Sequence, residues 1–204
     1  MTPELFRRPI WKMICLSKKI WLCHLIIYFF LFSCSSAPKE KEQTSSIRKT
    51  NELVKYETAS FSFDYNKGQI IIPKTADSSD EIWFDILDSD IDATIYCSYL
   101  PINQASLYKT LEDSYRLAYS HVSVSDGISQ SVVSNNNLKT YATIYDIDGQ
   151  VATPIQFFVT DSTSHFLRGS LYYNKAVKND SVASTTKLLR DDILTLISSL
   201  RWKD

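Results

Sequence analysis

The chain has 204 residues, 44% of them hydrophobic and 22% charged, with 22 basic against 23 acidic side chains and a net charge of −1. That balance excludes a nucleic-acid binder, which needs clustered Lys and Arg to displace counterions, and no basic stripe runs through the sequence.

The first element is a leader. Lys18 and Lys19 form a positive flank, Ile20–Phe32 is an apolar run, and Ser33 precedes Cys34. Charge, then a short apolar core, then a small residue before cysteine has the form of a bacterial lipoprotein signal. The expected processing is cleavage before Cys34, diacylglycerol on its thiol and acylation of its amine. A spanning anchor is the competing reading, but it needs about 20 apolar residues. Extending the run back to Ile14 would bury Lys18 and Lys19 in hydrocarbon. The sequence therefore divides into a signal at 1–33, the lipidated cysteine with a flexible tether at 34–54, and a single domain at 55–204. Five basic residues and one acid precede Cys34, which leaves 17 basic and 22 acidic residues in the processed chain. Cys15 and Cys23 leave with the signal, so Cys97 has no internal disulfide partner and reads as a buried hydrophobe in a strand.

Residues 35–54 are too polar to offset their own ordering entropy and read as a tether. Phe61–Tyr65 alternates with the period of a half-buried strand, and Ile70–Ile72 is a second β-branched run, stopped by Pro73. Ile82–Leu87 and Ala93–Leu100 predict a hairpin across an acidic turn. From Gln104 to Ser120 the period becomes helical, with Leu107, Leu111, Ser114 and Ala118 on one face. Lys109/Asp113 and Glu112/Arg116 stand at ion-pair spacing outside. Thr140–Ile147, Val151–Val159 and His165–Tyr173 predict a three-stranded meander, its first turn marked by Asp148-Gly149. Ser184 predicts a helix cap, and Leu189, Ile193, Leu196 and Leu200 form one apolar stripe. The fold class is α+β: a mostly antiparallel sheet with two principal helices packed against it.

The densest polar cluster is Thr160–Gly169, with one acid, hydroxyls, His165 and Arg168. Strand neighbours point to opposite faces, and no Gly-x-Ser-x-Gly elbow occurs, so the pattern predicts no catalytic residue and no enzyme. Asp161 and the hydroxyls fit the tip of a hairpin. Alternation places Phe166, Arg168, Ser170 and Tyr172 on one face and His165, Leu167, Gly169 and Leu171 on the other. Arg168 is positioned either to stack on aromatics and clamp a carboxylate or to pair as an ordinary surface arginine. Asp161, His165, Arg168 and Tyr172 are the partner-binding candidates. His121 and His165 lack paired metal-ligand spacing. The acids Asp85, Asp88, Asp90 and Asp92 lack the glycine and terminal glutamate of a calcium loop, so no metal and no cofactor is expected.

The segment Val151–Tyr173 resembles the gliding-motility lipoprotein GldD family, supported by Glu112-Asp113-Ser114-Tyr115 with His121 downstream, Asn179-Asp180-Ser181, Asp192 and Trp202. The resemblance runs from about Tyr56 to the end and includes the lipoprotein start. It implies a cell-envelope lipoprotein of Bacteroidota, held in the outer membrane through Cys34 and facing the periplasm. Its implied partners are other envelope proteins of the gliding apparatus and the linked type IX secretion system. Its implied role is that of a non-enzymatic accessory or scaffold, with no catalytic residues to carry over. A lipoprotein that binds glycan or peptide through Arg168 and nearby aromatics is the alternative.

Overall fold

In the computed structural model, residues 50–175 and 179–203 are described, the side chains of residues 179–182 excepted. The leader, Cys34 and the tether as far as residue 49 lie outside the described residues. The elements are β1 (Leu53–Glu57), β2 (Phe61–Asn66), β3 (Ile70–Lys74), β4 (Ile82–Asp88), β5 (Ala93–Pro101), α1 (Gln104–Tyr119), β6 (Gly127–Asn135), β7 (Thr140–Asp148), β8 (Ile155–Thr160), β9 (His165–Tyr173), α2 (Asn179–Ser199) and β10 (Arg201–Trp202).

The fold is α+β, and every strand pair is antiparallel. A seven-stranded sheet runs in the order β3-β4-β5-β9-β8-β7-β6, and a three-stranded sheet runs β1-β2-β10. After β5 the chain crosses through α1 to the far edge, then meanders back so that β9 closes against β5. The helix forms because Asn103 caps it: its side chain accepts from the backbone N–H of Ala105 and Ser106, while Ser106 Oγ accepts from the N–H of Asn103.

The two faces of the large sheet bury different partners. On the first face, Phe84, Ile86, Ile95, Ile144, Phe157, Leu167 and Leu171 meet Leu189, Ile193, Leu196 and Ile197 of α2 and Phe61 and Phe63 of the small sheet. Side chains of α2 also pin it across several strands. Arg190 donates to both oxygens of Asp146 (2.8 and 3.1 Å) and to Ser131 Oγ (3.0 Å), Gln69 Nε2 donates to Asp192, and Ser199 Oγ accepts from the N–H of Asp64. On the second face, Tyr145, Phe158 and Phe166 pack with Ala118, Leu107 and Leu111 of α1. Both expected helical stripes therefore face a core, on opposite sides of one sheet. Cys97 is 5% exposed and free within the first core. Burial raises its thiol pKa, and Asp85 adds to the effect, so it remains an unreactive hydrophobe.

Several expectations change. Pairing begins at Leu53, inside the segment read as tether, because β1 zips against β2 (Leu53↔Asn66 to Glu57↔Ser62). Gly127–Asn135 forms β6, so the meander has four strands; half of this strand's residues face solvent at the sheet edge, which weakens the alternation. Asp148-Gly149 is not a two-residue turn. Gly149 adopts φ 105°, and six residues separate β7 from β8. Ser184 lies within α2 rather than at its start. Arg116 pairs with Asp113 one turn back (3.6 Å), not with Glu112.

Candidate functional site

Helix α1 covers only part of the second face. It packs over β7, β8, β9 and Leu100 near the end of β5, leaving the side chains of β3, β4 and the rest of β5 on that face without a helical cover among the described residues. The result is an open groove of about 730 Å³. Its floor comes from β4, β5, β8 and β9, one wall from Lys74 and Thr75 at the end of β3, and the other from Leu117, Ser120 and His121 at the end of α1. Strand register sets the floor: one row holds Trp83, Ser98 and Arg168, and the next holds Asp85, Tyr96, Ser170 and Gln156. Tyr172 extends the aromatic side, meeting Tyr96 edge-on at 5.5 Å. Tyr96 is 48% exposed, which is unusual for an aromatic in the middle of a nine-residue strand.

The charges in this groove are unequal. Asp85 is buried and engaged by Lys74 (2.9 Å). Arg168 Nη2 donates to the Gln156 carbonyl oxygen (2.7 Å), and no carboxylate of the described residues pairs with its guanidinium. Burial lowers the Arg168 pKa, with Tyr172 opposing, yet a guanidinium remains charged across the physiological range. Gln156 is 3% exposed and fixed by this bond. With its oxygen turned to Arg168, its Nε2 faces His121 Nδ1 at 3.4 Å. Ser170 Oγ lies buried in the floor with no hydrogen-bond partner among the described residues. An unpaired buried hydroxyl costs about 1–3 kcal/mol.

Ser120 and His121 are the hydroxyl and imidazole nearest to a nucleophile–base pair. Ser120 Oγ already donates to the Leu117 carbonyl (2.7 Å), and no carboxylate of the described residues orients His121. A base without an orienting partner, beside a hydroxyl whose proton is engaged, lacks the geometry of activated attack.

The four candidates from the sequence fall in three places. Arg168 and Tyr172 line the groove together. Asp161 instead organises the β8–β9 turn: it accepts from the N–H groups of Thr163, Ser164 and His165 at 2.8–2.9 Å, while Ser162 adopts φ 68°. These bonds outweigh the desolvation that opposes ionisation and hold the carboxyl below its usual pKa. His165 lies on the opposite face of β9, stacked on Trp202 at 5.0 Å and bonded to the Tyr99 hydroxyl (2.9 Å), where it secures β10. The acids of the β4–β5 region are dispersed among separate partners. Asp85 meets Lys74, Asp88 accepts from the N–H of Ile91, and Asp92 meets Lys175. Sequence reading missed Trp83, Tyr96, Ser170 and Gln156 as one surface, since they come from four strands and only lateral register unites them.

Among solved structures, the chain is similar to the solution structure of cyanobacterial PsbP (CyanoP) from Synechocystis sp. PCC 6803. The TM-score is 0.47 and the identity 14%, over 75% of this chain and 94% of that one. No curated protein sequence matches it. The family model for the gliding motility lipoprotein GldD matches residues 34–202, from the cysteine that follows the apolar leader to the tryptophan that ends the small sheet. The chain belongs to the gliding motility lipoprotein GldD family.

Proposed function

We propose that this envelope lipoprotein is a non-enzymatic accessory component of gliding motility and of the linked type IX secretion machinery. It is anchored through acyl chains on Cys34 in the outer membrane and faces the periplasm. The observation that carries this reading is the extent of the family match, which opens at Cys34 and spans the whole described domain. Two or three acyl chains on one residue suffice for stable anchoring, since each buried CH₂ contributes about 0.8 kcal/mol. The tether then confines the domain near its partners, which raises their effective concentration without any new contact.

The test is replacement of the wild-type protein by Cys34→Ala in cells that glide. The expected result is loss of the protein from the membrane fraction, with impaired gliding and impaired secretion. Full gliding and secretion with a soluble Cys34→Ala protein would refute the anchoring. Crosslinking that recovers no motility or secretion component would refute the accessory role. The open groove around Arg168 favours a second reading, a tethered ligand-binding domain.

A further inference from the structure

We infer that the groove on the second sheet face binds a carboxylate-bearing sugar, with Arg168 on the acid and Trp83, Tyr96 and Tyr172 against the faces of the ring. This inference deepens the ligand-binding reading by naming the class of ligand.

Three observations converge on that chemistry. First, the charge is left over: Asp85 is engaged by Lys74, whereas Arg168 has only the neutral Gln156 oxygen among the described residues. A guanidinium held by one Nη leaves its other N–H groups available, and its planar fork matches a carboxylate bidentately. Second, the buried Ser170 hydroxyl lacks a partner in the floor beneath this position, between Tyr96 and Gln156 in the same row. A polar ligand atom gives it one. Third, the groove is bounded by aromatic faces and hydroxyls, the combination that reads a sugar's apolar ring face and its alcohols together.

The strand order separates this ligand from a peptide. The floor strands β4, β5, β9 and β8 all lie inside the sheet, each paired on both sides. Their N–H and C=O groups are spent on the ladder, so an extended peptide finds no backbone edge to join. Recognition falls to side chains alone: three aromatics, hydroxyls, one amide and one guanidinium.

The test is equilibrium binding to the full-length lipoprotein in detergent, by calorimetry and saturation-transfer NMR. The probes are glucuronate and N-acetylmuramate, their neutral counterparts glucose and N-acetylglucosamine, and trialanine as a free peptide carboxylate. The acidic sugars are expected to bind saturably and about tenfold or more tightly than the neutral ones, reflecting the charge-assisted pair. Arg168→Gln is expected to erase that preference. Tyr96→Ala, at a half-exposed ring, is expected to weaken every sugar while the variant retains a cooperative melting transition. Equal binding of acidic and neutral sugars overturns the proposal. So does tighter binding of trialanine, absence of saturable binding by either acid at millimolar concentration, or full binding by both variants. None of these failures touches the accessory role, which rests on Cys34→Ala and on crosslinking in cells.

Discussion

Gly169→Ala probes a close approach between backbone and ring in the larger core. Gly169 sits in β9 between Cys97 of β5 and Phe157 of β8, and the Phe157 ring lies over it. A Cβ built at this position falls within the van der Waals envelope of two ring carbons, and the ring is 1% exposed, with no open side to move into. Overpacking of this kind costs about 1–3 kcal/mol. Replacing a strand glycine returns about 0.5–1 kcal/mol through the unfolded chain. The net expectation is a loss of about 1–2 kcal/mol, or roughly 3–8 °C in melting temperature for a domain of this size. Urea denaturation of the purified protein measures it, and a double-mutant cycle with Phe157→Leu identifies the cause. With the ring removed, the same methyl group fills space instead of colliding, so the double variant should be more stable than the sum of the single losses implies. An equal Gly169→Ala penalty in the parent and in the Phe157→Leu background would refute the steric argument, as would a single variant as stable as the parent.

Two further predictions test other parts of the framework. Asp161→Ala should cost about 1–2 kcal/mol at pH 7 by releasing the three backbone N–H groups of the hairpin tip. The Asp161 carboxyl is depressed in the fold, so its contribution is present above its unfolded pKa of about 3.9 and is lost as the pH falls through the lower folded value. Urea midpoints of parent and variant should therefore converge below about pH 4, and a gap of unchanged size at about pH 2.5 would contradict the assignment. Arg190 and Asp146, at 30% and 24% side-chain exposure, should show a coupling of about 0.5–1 kcal/mol in a double-mutant cycle. The Asp146 bond raises the Arg190 pKa, and the coupling should weaken with salt. A coupling of zero at low ionic strength would mean that the Arg190–Asp146 pair contributes nothing to holding α2 on the sheet.

Much of the fold was legible because its physical signals are local. Period-two alternation located β2, β7 and β9, short apolar runs around an acidic turn located β4 and β5, and the stripe through Leu189, Ile193 and Leu196 located the buried face of α2. Alternation also put Arg168 and Tyr172 on one face of β9, and the turn chemistry of Asp161 followed from residue type. What escaped is what depends on neighbours. Strand β6 borders solvent, so burial leaves a broken pattern, and β10 spans only two residues that pair with a strand far earlier in the chain.

The alternating strands, the two amphipathic helices, the cysteine behind an apolar leader and the family to which the chain belongs are all legible in the sequence, because each is written in neighbouring residues or in an extended match. That the helices lie on opposite faces, and that α1 leaves β3, β4 and most of β5 open, follows from the packed fold alone. It also brought Trp83 and Tyr96 beside Arg168 and Tyr172 in one groove. The reason is register: pairing β5 with β9 aligns residues far apart in the chain, Ser98 with Arg168 and Tyr96 with Ser170, and no local pattern encodes that alignment.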